Sequence, residues 1–355
     1  MQHNGGPHEG TGTIMLPPVM VSPSQRLIYD ERYRSDGYDS RSEVRVLTAE
    51  FEALIAATNR AVASVPHGPV ALMDFGYGTG RVTNEFIDWY QAGGGPGGRD
   101  LRVYAYDVSS VGLSKAADRL VRDQGFVASS EPTWCRDGEE TYVAGILERT
   151  GPCGDASVVL VHAGEGRSAN EMTSFVLDHN AGPVLLTTSW YSGLGHIPGR
   201  SHRHTYFTAL GELTHPRGEV LVAVSSKGDL DREQLLWDLL RKEGELDSTF
   251  LGEDGGVMYE TELGQENYWH LFGEDLLDHM RDITGEGQRC WIEGIRVPGD
   301  EFTCKEEEQA NLRAVQDLNR RLAGTAWQDE DYRSFHTVLA VRSGYPEGAR
   351  TTLGG

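Results

Sequence analysis

Apolar residues along this chain fall into two alternating patterns, short continuous runs and longer stretches in which they recur every three or four positions. Such alternation is expected of buried strands interleaved with amphipathic helices. The continuous runs predict strands over Val70–Phe75, Leu101–Val108, Ala156–His162, Pro183–Trp190 and Gly218–Val224. Helical spacing appears between them, in Val82, Phe86 and Trp89, in Val111, Leu113, Leu120 and Val121, and over Ala169–Asp178 and Tyr206–Leu213. A repeated strand–helix–strand order implies a parallel sheet.

Either side of this core the pattern changes. Residues 1–25 read as a flexible tail, with Pro17, Pro18 and Pro23 among small polar residues. A Tyr-, Asp- and Arg-rich stretch, Leu27–Arg45, is followed by a helix over Thr48–Val65 with Phe51, Leu54, Ile55 and Val62 as its stripe, together an N-terminal helical lid over residues 26–66. Residues 125–154 read as an insertion with an amphipathic piece around Tyr142–Leu147. After an α/β core at 67–228, the expectations are a helix over Asp229–Glu243, an irregular polar stretch at 245–268, a helix over Glu274–Ile283 and a strand over Cys290–Val297. A helix over Lys305–Leu322 comes next, with Thr303 and Glu306 as a capping box, then a strand over Phe335–Val341 and a second tail from 346.

The chain is 355 residues long, enough for one large domain with appendages or for two domains. Its net charge of −22 opposes phosphate backbones and anionic membrane surfaces, so neither nucleic acid nor membrane is an expected partner. Cys135, Cys153, Cys290 and Cys304 show no zinc-type spacing and read as free thiols of a cytoplasmic protein. No metal is expected: His196, His202 and His204 lack a ligand spacing and read, with Arg200 and Arg203, as an exposed basic turn.

The most informative segment is Ala71–Gly80, where a strand ends in Asp74 and runs into Gly76, Tyr77, Gly78, Thr79 and Gly80 ahead of a helix. Alternating glycines let the backbone turn sharply and let a ligand approach it. A carboxylate at the strand tip would repel the pyrophosphate of a dinucleotide, so Asp74 points to a cationic ligand.

This stretch resembles the first motif of class I S-adenosylmethionine (SAM)-dependent methyltransferases of the small-molecule type. The resemblance extends over roughly residues 67–343, with the Gly195-His196-Ile197-Pro198 turn and Pro216-Arg217-Gly218-Glu219 as later echoes. It implies a seven-stranded, mostly parallel sheet with helices on both faces and an antiparallel last strand. SAM is the cofactor it implies. Asp107, ending the second strand with Val108 beside it, would accept hydrogen bonds from the ribose hydroxyls, the rival reading being a helix N-cap. Glu165 would face the adenine amino group or lie in a solvated turn. Ser189 and Trp190 end the fourth strand at the crevice; Trp190 or Tyr191 would pack on the sulfonium, or Trp190 fills the core. Tyr29 and Tyr33 would cover the cofactor, and Arg32 or Arg34 would hold its carboxylate. Tyr38, Tyr259, Tyr268 and His270, the last two beside Trp269, would shape an acceptor pocket. His196 or a pocket tyrosine such as Tyr191 would take the acceptor's proton.

The function implied is methyl transfer to an oxygen or nitrogen of a small molecule, in biosynthesis. Aminocarboxypropyl transfer or cyclisation from the same cofactor, and a nucleotide-binding module without chemistry, are the alternatives. A homodimer is left open.

Overall fold

The computed structural model describes residues 23–34, 48–129, 142–163, 169–229, 257–260, 266–298, 302 and 304–344. Two helices, α1 (Pro23–Arg34) and α2 (Thr48–Ser64), precede β1 (Val70–Phe75), α3 (Arg81–Trp89), β2 (Leu101–Asp107) and α4 (Ser110–Gln124). The chain continues through β3 (Val127–Ala128), β4 (Tyr142–Arg149), β5 (Ala156–His162), α5 (Ala169–Asn180) and β6 (Val184–Ser189). A 3₁₀ turn, Gly193–His196, leads to α6 (Arg200–Leu213), β7 (Thr214–Ser225), β8 (Val257–Glu260) and β9 (Glu266–Trp269). The last elements are α7 (Glu274–Asp282), β10 (Arg289–Arg296), α8 (Lys305–Leu322) and β11 (Thr337–Ser343).

Nine strands form one sheet in the order β10-β11-β7-β6-β1-β2-β5-β4-β3. β5, β2, β1, β6 and β7 are parallel, and β11 inserts antiparallel between β7 and β10. These seven strands are the mostly parallel sheet with an antiparallel last strand that the resemblance implies. The count corrects the expectation: the insertion at 125–154 supplies β3 and β4, which extend the β5 edge in antiparallel fashion. Ala144 and Leu147 are buried from β4, so the amphipathic piece is a strand whose apolar positions join the core.

Strand side chains alternate between two cores, the expected result of a sheet covered on both faces. From β1, Val70 and Leu72 pack with Leu54 of α2, Phe86 of α3 and Leu113 and Leu120 of α4. Ala71, Met73 and Phe75 pack on the opposite face with Met172 and Val176 of α5 and Phe207 and Leu210 of α6. α2 is bolted at its far end: the Arg60 guanidinium donates to both oxygens of wholly buried Glu219 at 2.7 and 2.6 Å, and Ser343 of β11 donates to the same carboxylate at 2.9 Å.

Three further expectations change. α6 starts at Arg200, so the residues read as an exposed basic turn are helical, and Arg203 is fully buried, donating to the Ile197 carbonyl and to the Tyr268 hydroxyl. Within the stretch read as irregular, β8 and β9 pair as an antiparallel ribbon. Cys304 occupies the N-cap position of α8, whereas Thr303 and the expected helix after Asp229 lie outside the described residues.

Candidate active site at the carboxyl edge of the sheet

The glycine loop between β1 and α3 takes the backbone its sequence requires: Gly76, Gly78 and Gly80 all lie at positive φ, 78°, 54° and 72°. Asp74 ends β1 below this loop, 2% exposed. Its carboxylate accepts from Thr83 Oγ1 of α3 at 2.5 Å and from Thr188 Oγ1 of β6 at 3.0 Å. Burial, working against those two hydrogen bonds, raises its pKa to about 7. Asp74 thus ties together the strand, the helix and the neighbouring strand that bound the crevice.

Asp107 ends β2 one strand over. One oxygen accepts from the Gly78 N–H at 2.7 Å and the other from the Ser109 N–H at 2.7 Å, and burial lifts the group to about 6. The N-cap of α4 is Ser109, whose Oγ accepts from Gly112 N–H at 3.0 Å, so the capping alternative for Asp107 is taken by its neighbour. The Val108 carbonyl accepts from His162 Nε2 at 3.1 Å. Tyr77 is buried and donates its hydroxyl to Asn84 Oδ1, which stiffens the loop from beneath.

α1 lies over this loop. The Ser109 hydroxyl donates to Asp30 at 2.6 Å, and Lys115 bonds the Tyr33 carbonyl. Tyr33 is buried with its ring against Gly78 and Gly112: a Cβ built on Gly78 would stand 2.5 Å from the Tyr33 hydroxyl, and one on Gly112 would stand 2.9 Å from the ring. Tyr29 stacks on Tyr33 and meets His196 edge-on at a centroid distance of 5.7 Å.

Beyond β6 the chain passes through two left-handed residues, Tyr191 and Ser192. Ser189 and Trp190 are both buried, with Ser189 Oγ and Trp190 Nε1 finding no partner among the described residues, and the Trp190 indole belongs to the core beside Leu54 and Val82. Tyr191 is exposed and carries the Arg81 guanidinium 4.6 Å above its ring. In the 3₁₀ turn, His196 Nδ1 lies 2.8 Å from the Tyr268 carbonyl. A carbonyl can only accept, so Nδ1 carries the proton and Nε2 the lone pair. Burial depresses the imidazole to about 4.

Tyr268 and His270 are brought to this wall by β9, and the His270 N–H donates to the Gly195 carbonyl at 2.8 Å. His270 Nε2 bonds Asp275 at 2.7 Å. Burial pushes Asp275 up, but the His270 hydrogen bond and charge and the Gly273 N–H outweigh it and hold the carboxyl at about 2. Glu165, Tyr38 and the Tyr259 side chain lie outside the described residues.

One constellation was not anticipated. Glu50, in the first turn of α2, is 1% exposed, and its Oε2 stands 3.7 Å from Nη2 of Arg81, the residue that follows the glycine loop. The sequence carried a signal: Glu50 shares the 4-3-4 spacing of Leu54, Ala57 and Ala61, all fully buried, so an acid sits in the apolar stripe.

No protein-family model and no curated protein sequence matches this chain. Solved structures give faint matches. A complex titled DhpI-SAM-HEP is 11% identical, with a TM-score of 0.41 over 90% of this chain and 95% of that one. The plantazolicin methyltransferase BamL, in complex with a triazolic desmethylPZN analog and SAH, is 11% identical with a TM-score of 0.41 over 91% and 97%. A SAM-dependent methyltransferase from Clostridium acetobutylicum is 10% identical with a TM-score of 0.41 over 89% and 96%. Similarity at this level assigns no role to any residue.

Proposed function

We propose that this protein uses SAM to methylate an oxygen or nitrogen of a small molecule bound at the carboxyl edge of its sheet. The observation that carries the reading is the pairing of a left-handed three-glycine loop with two buried carboxylates, Asp74 beneath it and Asp107 hydrogen-bonded to it. A loop bounded by two acids suits a cationic nucleoside and repels a pyrophosphate. When bound, SAM supplies a methyl carbon made electrophilic by its positive sulfur.

The residues present fit that group. Asp107, held by the backbone N–H groups of Gly78, Val108 and Ser109, keeps acceptor capacity for a ribose hydroxyl, Ser189 Oγ, which has no partner among the described residues, offers a polar contact at the strand tip, and Tyr33 and Tyr29 lie over the loop. A water-poor crevice that aligns the acceptor with the methyl carbon supplies most of the acceleration. His196 stays neutral at ordinary pH with Nδ1 engaged by the Tyr268 carbonyl, and we assign it to receive the proton an acceptor releases. Tyr29, edge-on to His196, offers an aromatic face that suits a flat acceptor.

Calorimetry tests this. SAM and S-adenosylhomocysteine should bind where NAD does not, and Asp107→Ala should weaken S-adenosylhomocysteine at least tenfold. Tight NAD binding without SAM binding would overturn the assignment. With methyl-labelled SAM and a panel of phenols and amines, S-adenosylhomocysteine should be the nucleoside product; methylthioadenosine would replace methyl transfer by aminocarboxypropyl transfer or cyclisation.

A further inference from the structure

Glu50 poses a problem that packing does not solve. An acid in the first turn of a helix is favoured by the helix dipole, but such acids are exposed or cap the helix. Glu50 does neither: it is 1% exposed, and neither carboxylate oxygen finds a hydrogen-bond partner among the described residues. A buried carboxylate without donors is expensive and persists where something else supplies them. Burial drives its pKa up, while the charges of Arg81 and of Arg296 at the end of β10 pull it down.

Arg81 is the complementary half. Its guanidinium stands 3.7 Å from Glu50, too far for a hydrogen bond, and rests on the exposed Tyr191 ring. Its Nη2 is also buried without a hydrogen-bond partner among the described residues. Both residues flank the loop: Arg81 directly follows Gly80, and Glu50 is near enough to raise the pKa of Asp74. A carboxylate and a guanidinium held this close, each short of partners, match an ammonium and a carboxylate on a single carbon.

We infer that Glu50 and Arg81 form a subsite for an α-amino-acid zwitterion, Glu50 accepting from its ammonium and Arg81 donating to its carboxylate, and that its occupant is the amino-acid end of the cofactor. This rests on the cofactor reading above. It places the carboxylate contact on Arg81, beside the loop: Arg34 is more than half exposed and paired with Asp30 and Glu31, and Arg32 lies over Tyr29 on the His196 side. Selectivity follows, because a nucleoside without the amino-acid arm would leave both charges buried and unmet.

The test uses calorimetry on the full chain with three probes: S-adenosylhomocysteine, its decarboxylated analogue and methylthioadenosine. Glu50→Gln and Arg81→Gln should each weaken S-adenosylhomocysteine tenfold or more and change methylthioadenosine less than twofold, which also reports that the variants are folded. The decarboxylated analogue should feel Glu50→Gln and be indifferent to Arg81→Gln. Unchanged S-adenosylhomocysteine affinity in both variants, or equal losses for S-adenosylhomocysteine and methylthioadenosine, would overturn the subsite while leaving the cofactor in place. Failure of the unaltered protein to bind any of the three would overturn the cofactor assignment itself.

Discussion

Substituting Gly78 by Ala tests how α1 is seated on the glycine loop. Gly78 sits at φ 54°, so an L-residue there costs about 1–2 kcal/mol whatever surrounds it. The three atoms nearest its built Cβ all belong to Tyr33, the hydroxyl at 2.5 Å, Cζ at 3.2 Å and Cε1 at 3.7 Å. The ring cannot slide away, because Gly112 confines its other edge. Overpacking of this kind adds about 1–3 kcal/mol, for a total of about 2–5 kcal/mol. In a Tyr33→Leu background the clashing atoms are gone and the backbone term remains, so Gly78→Ala should then cost only about 1–2 kcal/mol. Urea denaturation of the four proteins, read as a double-mutant cycle, isolates the clash because backbone strain cancels. An equal cost of Gly78→Ala in both backgrounds would mean that Tyr33 does not rest on the loop.

Removing the Arg60 clamp by Arg60→Ala should cost about 3 kcal/mol in denaturant unfolding, since wholly buried Glu219, whose pKa is already pushed up by burial, loses its bidentate partner and keeps the Ser343 hydroxyl. Asp74, whose pKa rises to about 7 in the folded protein against an ordinary 3.8, binds a proton more readily folded than unfolded. Its burial therefore costs stability progressively between about pH 4 and pH 7, and Asp74→Asn should flatten the decline in unfolding free energy across that window by up to about 4 kcal/mol. His279, stacked on Phe207 at 4.8 Å and depressed to about 4, has the opposite sign: stability is lost as pH falls from about 6.5 to 4, and His279→Phe should remove that part of the acid sensitivity in melts at stepped pH.

The parallel core was legible because its strands are buried on both faces and so read as unbroken apolar runs; β1 and β5 begin and end where those runs do. The same logic hid β4, an antiparallel strand at 142–149 with polar Glu148 and Arg149 at its end. Arg203 misled for a different reason. Arginine is ordinarily exposed, and contacts such as the Ile197 carbonyl, the Tyr268 hydroxyl and the rings of Tyr268 and Phe272 make its burial tolerable. At the site, the glycines and Asp107 announced themselves through spacing relative to strand ends. For Glu50 the only signal was an acid in register with the apolar stripe, and Arg81 gave none, because their pairing appears only when α2 is laid beside the N-terminus of α3, a tertiary juxtaposition.

The clamp at Arg60 divides the molecule's motions. One end of α2 carries Glu50 to the crevice and the other is fixed to Glu219, which Ser343 ties to β11, so α2 behaves as part of the rigid frame. α1 is held from α4 through Asp30 and the Tyr33 carbonyl, and it also meets β9 and, through Tyr29, His196. The amides of α1 should accordingly exchange with solvent deuterium well before those of α2. On that ordering, Glu50 belongs to the rigid frame and Tyr33 to the element that opens first.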